Sequence, residues 1–130
     1  GLDEALARAK AFAKAGADVL FVEAPESEDE FRRVGAELAG HAKLLANMVP
    51  SGKSPDLGAQ KLQSLGFSIA IYPSAGMSVA CEALERSFSY LKKAGTLQGS
   101  PVPAYDMKRL HELAGFQDVW DFEKRHVEPR

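Results

Sequence analysis

The chain has 130 residues, of which 45% are hydrophobic, and a formal net charge of −2 at pH 7. These values fit one globular domain with a real core, and they give no reason to expect nucleic acid or an anionic membrane as a partner. The apolar runs are too short to span a bilayer. A single cysteine cannot form an internal disulfide, so we expect a reducing, cytoplasmic location.

One local pattern occurs three times: an amphipathic helix, a glycine, and a short apolar run that ends at a polar residue. The glycines are Gly16, Gly40 and Gly66, and their spacing of about 25 residues suits one strand plus one helix. Continuous apolar runs without hairpin turns are typical of parallel strands that are covered on both faces. The predicted strands are Val19–Val22, Lys43–Ala46 and Ser68–Ile71.

In chain order, the first predicted helix covers Leu2–Ala15, with Asp3 as a possible N-terminal cap. Ser27 and Glu30 form a capping-box pattern that begins the second helix, which runs to about Leu38. The later predicted elements are a helix near Asp56–Leu65, a long helix over Ser78–Lys93, a linker at Thr96–Pro103, and short helices at Asp106–Ala114 and Val119–His126.

Polar residues follow the apolar runs at the ends where sites of parallel α/β proteins lie. Glu23 follows the first run, where a carboxylate could bind a metal, hold a substrate hydroxyl or act as a general base. Asn47 follows the second run, and its amide suits a substrate carboxylate. The alternatives are a solvent-exposed loop glutamate and an asparagine that opens a turn. Tyr72–Ser74 ends the third run, where proline alone could stop a strand.

The loop after the second run, Met48–Pro55, is rich in residues that favour turns. Ser51, Gly52, Lys53 and Ser54 could form an anion-binding loop of hydroxyls, backbone N–H groups and one cation. The alternative is a solvated loop, since the spacing is not that of a phosphate-binding P-loop. Cys81 lies within the long helix, and we expect a buried structural thiol there, because no neighbouring cation would activate it.

Three strings together resemble the isocitrate lyase/phosphoenolpyruvate mutase superfamily. They are GADVLFVEAP at residues 16–25, LANM at 45–48 with GKSP at 52–55, and LGF at 65–67 with IYP at 71–73. The resemblance implies an α/β fold, the C-terminal part of a (β/α)₈ TIM-type barrel with about strands six to eight, followed by a helical tail. Residues 1–95 would be the partial barrel, and residues 96–130 the linker and tail.

The resemblance also implies an enzyme. The expected activity is that of a Mg²⁺-dependent carbon–carbon lyase on small 2-hydroxy or 2-keto di- or tricarboxylic acids, of methylisocitrate lyase or oxaloacetate decarboxylase type, through a pyruvate-like enolate. The alternatives are a phosphoenolpyruvate mutase or phosphonopyruvate hydrolase, and a non-catalytic partial barrel. The metal's ligands are expected in an N-terminal half that these residues lack, so we expect the 130 residues alone to be inactive.

The residue roles that the resemblance implies are as follows. Glu23 would be catalytic and would reach Mg²⁺ only through water, and no direct metal ligand is expected in this chain. Substrate would bind to Asn47, Tyr72, Pro73 and Ser74, and the anion-binding interpretation of the loop adds Ser51 and Gly52 to the predicted substrate-binding residues. The C-terminal helix is expected to pack on a neighbouring subunit of a homo-oligomer, with a small carboxylic acid as the other partner.

Overall fold

A computed structural model describes residues 1–126 of the chain. Helices and strands alternate through its first part, and helices alone follow. The elements are α1 (Leu2–Lys14), β1 (Val19–Phe21), α2 (Glu28–Leu38), β2 (Lys43–Asn47), α3 (Gly58–Ser64), β3 (Ile69–Ile71), α4 (Ala75–Ala94), α5 (Met107–Leu113) and α6 (Phe116–His126).

The three strands form one sheet in the order β1-β2-β3, and both pairings are parallel. Phe21 pairs with Leu45, and Leu45 pairs with Ile69, so the three strands are aligned in one row. This confirms the predicted parallel arrangement, with strand ends that differ by about one residue from the expected ones. Because all three strands point the same way, their carboxyl ends meet at one edge of the sheet.

One face of the sheet packs against the first three helices and forms the core. Leu20, Leu44 and Ala46 point to that face and are at most 3% exposed. The helices contribute the other large buried side chains, namely Leu6, Phe31, Val34, Leu38 and Leu62. The amphipathic spacing of the sequence therefore produces the expected helix-on-sheet layer.

The opposite face of the sheet is apolar and open within the described residues. Val19 and Phe21 are 41% and 46% exposed, and Ile69 and Ile71 are 37% and 40% exposed. Both faces of the sheet are apolar as predicted, and the helices of the described residues cover one of them. The apolar runs are continuous for this reason, because successive residues of a strand point to alternate faces.

Two helix starts differ in detail from the prediction. Gly1, rather than Asp3, occupies the N-cap of α1, and the Asp3 carboxylate instead accepts from Arg33 at 2.6 Å. Ser27 caps α2 as predicted, since its Oγ accepts from the Glu30 N–H at 3.2 Å. The Glu30 carboxylate accepts from the N–H of Glu26 at 2.7 Å, one residue before the position expected for a capping box.

Helix α2 and the turn after α3 approach each other closely at a pair of glycines. A Cβ on Gly35 would stand 1.7 Å from the backbone oxygen of Leu65. Gly66 has a φ of +93°, and a Cβ there would stand 3.0 Å from the Cβ of Ala39. Glycine is therefore required on the helix by contact, and in the turn by both contact and conformation.

Ion pairs join the first three helices on their outer surfaces. Lys10 on α1 contacts Glu37 on α2 at 2.6 Å, and Lys61 on α3 contacts Glu28 on α2 at 2.8 Å. Hydrogen bonding to Lys61 lowers the pKa of Glu28 below its ordinary value, and hydrogen bonds from Lys10 and then Arg33 lower the pKa of Glu37. These carboxylates thus favour the folded state in their charged form.

The chain divides into two compact units, Gly1–Cys81 and a second that begins at Glu82 within α4. The predicted division at residues 95 and 96 stays a prediction. Helix α4 buries none of its side chains, so Cys81 is exposed, and the expectation of a buried thiol is wrong. No described helix is both long and apolar enough to cross a membrane.

The second unit contains α5 and α6, which pack on each other through aromatic rings. Asp106 begins α5 by accepting from the N–H of Arg109 at 2.8 Å. The ring of His111 lies 4.6 Å from that of Phe116 and 5.6 Å from that of Trp120, between centroids. Neither helix has a buried residue, and Phe122 is 56% exposed, so the pair presents an apolar surface to solvent.

Candidate functional site

The candidate site lies at the edge where the carboxyl ends of the strands meet. Asn47 is the last residue of β2 and pairs with Ile71, the last residue of β3. Glu23 follows the last residue of β1 by two positions. The backbone N–H of Met48 donates to the carbonyl of Ile71 at 2.8 Å, which continues the sheet one residue beyond Asn47. Glu23 and Asn47 are therefore held at the same end by hydrogen-bonded backbone.

A cleft of about 330 Å³ opens at this edge and is called the rim cleft below. Two segments form it: the turn after β1 and the loop after β2. Its lining residues are Glu23, Ala24, Asn47, Val49, Gly52, Lys53 and Ser54. The structure thus brings together Glu23, Asn47 and Gly52 of the predicted site residues. A second cleft, of about 470 Å³, is lined by residues of α1 and β1 and also includes Glu23.

Asn47 carries an unsatisfied polar atom. Its Oδ1 is buried and has no hydrogen-bond partner among the described residues. Burying a carbonyl-type oxygen without a donor costs on the order of 1–3 kcal/mol, so native proteins rarely leave one in this state. Asn47 itself lines the rim cleft, so this unsatisfied atom lies beside the candidate site.

Backbone strain is concentrated at the same place. Among the described residues, Ala24 and Ser51 are the two non-glycine residues with positive φ, at 50° and 60°. Ala24 lines the rim cleft, and Ser51 precedes Gly52 in the loop that forms its other wall. Such conformations cost on the order of 1 kcal/mol each and cluster at binding and catalytic sites. The strain is an independent reason to place the site here.

A tight turn shapes the loop wall of the rim cleft. The N–H of Gly52 donates to the carbonyl of Val49 at 2.9 Å. A Cβ on Gly52 would stand 2.9 Å from that same carbonyl oxygen, so a larger residue would force the turn apart. The composition of this loop predicts a functional turn, and the close contact with the Val49 carbonyl explains why residue 52 is glycine.

The remaining predicted residues lie at the same end of the sheet but do not line the rim cleft. Tyr72 is 41% exposed, Pro73 follows it, and the Ser74 carbonyl accepts from the N–H of Ser78 at 2.8 Å in the first turn of α4. Ser51 lies in the loop directly before Gly52, which does line the rim cleft. Ala24 and Val49 line it without having been predicted, because apolar residues give no chemical signal in a sequence.

The described residues contain no group of three or more His, Cys, Asp or Glu side chains that could hold a metal ion. The side-chain oxygens of the lining residues belong to Glu23, Asn47 and Ser54, of which Glu23 carries the exposed carboxylate. They match the water shell of a hard cation such as Mg²⁺, which retains several waters when it binds to proteins. These residues therefore fit an outer-sphere role.

Comparisons with known proteins identify the family of the chain. Residues 1–92 match the family described as phosphoenolpyruvate phosphomutase. The chain is 35% identical over 130 residues to a 2,3-dimethylmalate lyase from Eubacterium barkeri and covers 44% of it. It is 39% identical over 124 residues, 95% of this chain, to a 2-methylisocitrate lyase from Halalkalibacterium halodurans and covers 41% of it. The chain thus spans less than half the length of these curated relatives.

Solved structures show the same relationship in three dimensions. A 2,3-dimethylmalate lyase, described as a PEP mutase/isocitrate lyase superfamily member, superposes with a TM-score of 0.79 at 31% identity, over 95% of this chain and 42% of that one. An oxaloacetate acetylhydrolase in complex with 3,3-difluorooxalacetate superposes with a TM-score of 0.83 at 27% identity, over 98% and 42%. The chain therefore belongs to the phosphoenolpyruvate phosphomutase family, within the PEP mutase/isocitrate lyase superfamily.

Proposed function

We propose that the chain is the C-terminal part of a (β/α)₈ barrel, about strands six to eight with a helical tail, in a Mg²⁺-dependent carbon–carbon lyase. The substrates would be small 2-hydroxy or 2-keto di- or tricarboxylic acids of the methylisocitrate or oxaloacetate kind, cleaved to a pyruvate-like enolate. Support comes from family membership and from relatives named as 2-methylisocitrate and 2,3-dimethylmalate lyases. The open apolar face of the sheet fits the inner surface of such a barrel.

One observation carries the proposal: Glu23 and Asn47 line the same cleft at the carboxyl edge of a parallel sheet. When a 2-hydroxy acid is cleaved, a base takes the hydroxyl proton, the carbinol carbon becomes the carbonyl of a 2-oxo acid, and the electrons of the broken carbon–carbon bond pass to the other carboxylate fragment as its enolate. The pyruvate-like enolate would form from the 2-keto substrates. Glu23 is an exposed carboxylate in the position to take the hydroxyl proton. The amide of Asn47 would hold the substrate, and Ser51, Gly52, Tyr72, Pro73 and Ser74 would complete the binding surface.

Mg²⁺, when bound, supplies positive charge that stabilises the negative charge developing on substrate oxygen. Its direct ligands would come from outside these 130 residues, and Glu23 would accept hydrogen bonds from its water shell. For the same reason we propose that residues 1–130 alone are inactive. This chain would supply the base Glu23, the amide of Asn47, and the loop that forms one wall of the rim cleft.

The decisive experiment is a turnover assay on the full-length protein that contains this chain. We expect release of a 2-oxo acid from methylisocitrate, dimethylmalate or oxaloacetate, with phosphonopyruvate as the test of the mutase or hydrolase alternative. Replacing Glu23 with Gln removes the base, and we expect kcat to fall by about 10²- to 10⁴-fold. The matched control is Glu26→Gln, on the same turn but outside the rim cleft. A Glu23→Gln variant within threefold of wild type would contradict the assigned role.

We also propose that the tail docks on a second copy of the full-length protein, in a dimer or a dimer of dimers. The α5–α6 pair leaves Leu113, Phe116, Trp120 and Phe122 between 39% and 73% exposed. Apolar patches of this kind mark contact surfaces. Aromatic side chains dominate the energetics of such interfaces, so these residues are the expected anchors.

A further inference from the structure

The capping motif at the start of α2 reaches one residue further back than such motifs normally do. Ser27 Oγ accepts from the N–H of Glu30, which is the ordinary role of an N-cap. In an ordinary capping box, the carboxylate of the second residue would accept from the N–H of the cap itself. Here Glu30 Oε2 accepts from the N–H of Glu26 at 2.7 Å. The carboxylate therefore holds the turn that precedes the helix.

The turn that Glu30 holds is the strained one that follows β1. Ala24 has a φ of 50°, a conformation that alanine rarely adopts. Pro25 comes next and has no N–H, so the N–H of Glu26 is the first backbone donor after the strained residue. Strained conformations persist only where the surrounding structure holds them in place. The hydrogen bond from Glu26 to Glu30 is in the position to do this.

Helix α2 is fixed to the core beside Glu30. Phe31 is the next residue and is 1% exposed, and its ring lies 5.5 Å from the ring of Phe67, between centroids. Val34 and Leu38 continue the same buried face of the helix. Packing in the core therefore sets the position of the Glu30 backbone. A well-anchored helix thus holds a turn whose own backbone conformation is unfavourable.

Glu23 belongs to the same turn. It directly precedes Ala24, so the φ of Ala24 sets the path of the chain that leaves Glu23. Glu23 and Glu30 also line a further cleft together, of about 380 Å³, which borders α1. A general base works only within hydrogen-bond reach of the proton that it takes. A shift of this turn would therefore change what the Glu23 carboxylate can reach.

We propose that Glu30 is a positioning residue for Glu23: its carboxylate holds the Glu26 N–H, keeps Ala24 at positive φ, and so fixes the Glu23 carboxylate at the rim cleft. This inference rests on the proposed function, in which Glu23 is the base. Glu30 itself lies outside the lining residues of the rim cleft. Its contribution is geometric, and a displacement of about 1 Å at a reacting group lowers a rate by up to about 10²-fold.

The test compares Glu30→Ala with Glu30→Gln in steady-state turnover by the full-length protein. The substrate is whichever of methylisocitrate, dimethylmalate and oxaloacetate the wild type turns over fastest. Glutamine keeps an oxygen that accepts from the Glu26 N–H, whereas alanine removes it. We expect Glu30→Ala to lower kcat about 10- to 100-fold with KM within about threefold of wild type, because the base acts in the transition state. Glu30→Gln is expected to keep most of the wild-type kcat.

Two further variants separate positioning from helix stability. Ser27→Ala removes the N-cap hydrogen bond but leaves the Glu30 carboxylate, so we expect a lower Tm and an unchanged kcat. Ala24→Gly allows positive φ without strain, so it should restore part of the kcat that Glu30→Ala loses. Amide hydrogen exchange supplies a measurement without substrate. The Glu26 amide should exchange about fivefold faster in Glu30→Ala, the scale of one lost hydrogen bond, and at the wild-type rate in Glu30→Gln.

The outcomes separate this inference from the proposed function. If the wild type turns over an acid and Glu30→Ala keeps its kcat, the inference fails and the proposed function stands. An equal loss of kcat in Glu30→Gln or in Ser27→Ala would also overturn it, because lost charge or lost helix stability would then explain the effect. An unchanged exchange rate of the Glu26 amide in Glu30→Ala would show that the hydrogen bond does not hold the turn. If the wild type turns over none of the acids, the proposed function fails, and the role of Glu30 falls with it.

Discussion

Replacing Gly35 with alanine tests the close approach between α2 and the turn after α3. In an unconstrained helix this change stabilises by about 1 kcal/mol through helix propensity. Here the new Cβ would stand 1.7 Å from the Leu65 carbonyl oxygen and 2.9 Å from its carbonyl carbon. Both atoms belong to the backbone, so relief requires a movement of α2 against the turn. Overpacking of this kind costs about 1–3 kcal/mol or more, and the severity of the contact places it at the upper end.

The net expectation is a loss of about 2 kcal/mol in the free energy of unfolding. For a protein of ordinary size this lowers Tm by about 4–8 °C in a thermal melt of the full-length protein followed by circular dichroism. Gly76→Ala is the matched control, since Gly76 is also helical and an added Cβ meets nothing within 4 Å. We expect that variant to be unchanged or slightly more stable. A Gly35→Ala protein as stable as wild type would refute the claim that the contact is rigid.

Two other predictions concern surface charge and the tail. The pKa values of Glu28 and Glu37 are lowered from 4.5, so their ion pairs contribute stability above that pH and lose it as the pH falls through the lowered values. The Glu28→Gln/Glu37→Gln protein should therefore show a shallower fall in Tm between about pH 6 and about pH 3, roughly the range in which carboxylates protonate. An unchanged slope of Tm against pH would contradict this. Replacing Trp120 and Phe122 with alanine is expected to lower the mass of the full-length oligomer in sedimentation, and an unchanged mass would favour a tail that folds back on its own subunit.

The strands were predictable because each apolar run lies between a glycine and a polar residue, which mark both ends. Parallel pairing follows from the helices between the strands, and it places Glu23 and Asn47 at one edge of the sheet. The ends of the helices were predicted less accurately. Helix α4 begins at Ala75, three residues before the predicted start, since the turn after Pro73 enters the helix directly. Asp3 was mistaken for a cap because its partner, Arg33, is distant in sequence.

The site was only partly predictable, for reasons of geometry. The residues around Gly52 and Lys53 predict a functional loop because they favour turns. Nothing in the sequence indicates that Asn47 Oδ1 is buried without a hydrogen-bond donor. The positive φ of Ala24 was also hidden, because alanine has no preference for that conformation. Cys81 was expected to be a buried structural thiol because no cation is near it in the sequence, but burial depends on which surfaces pack against α4, and the sequence does not show these.

The strained backbone at Ala24 and Ser51 limits how this site can evolve. At positive φ, valine, isoleucine and proline are excluded, whereas glycine, asparagine and aspartate are tolerated. Most random substitutions at these two positions would therefore be purged for reasons of folding, before their effect on substrate choice could be tested. New specificities in this lineage should arise through Val49, Lys53 and Ser54, whose side chains line the rim cleft while their φ angles lie outside the restricted region. A mutant library at these three positions would change the lining of the rim cleft while leaving the backbone conformation of its loops unchanged.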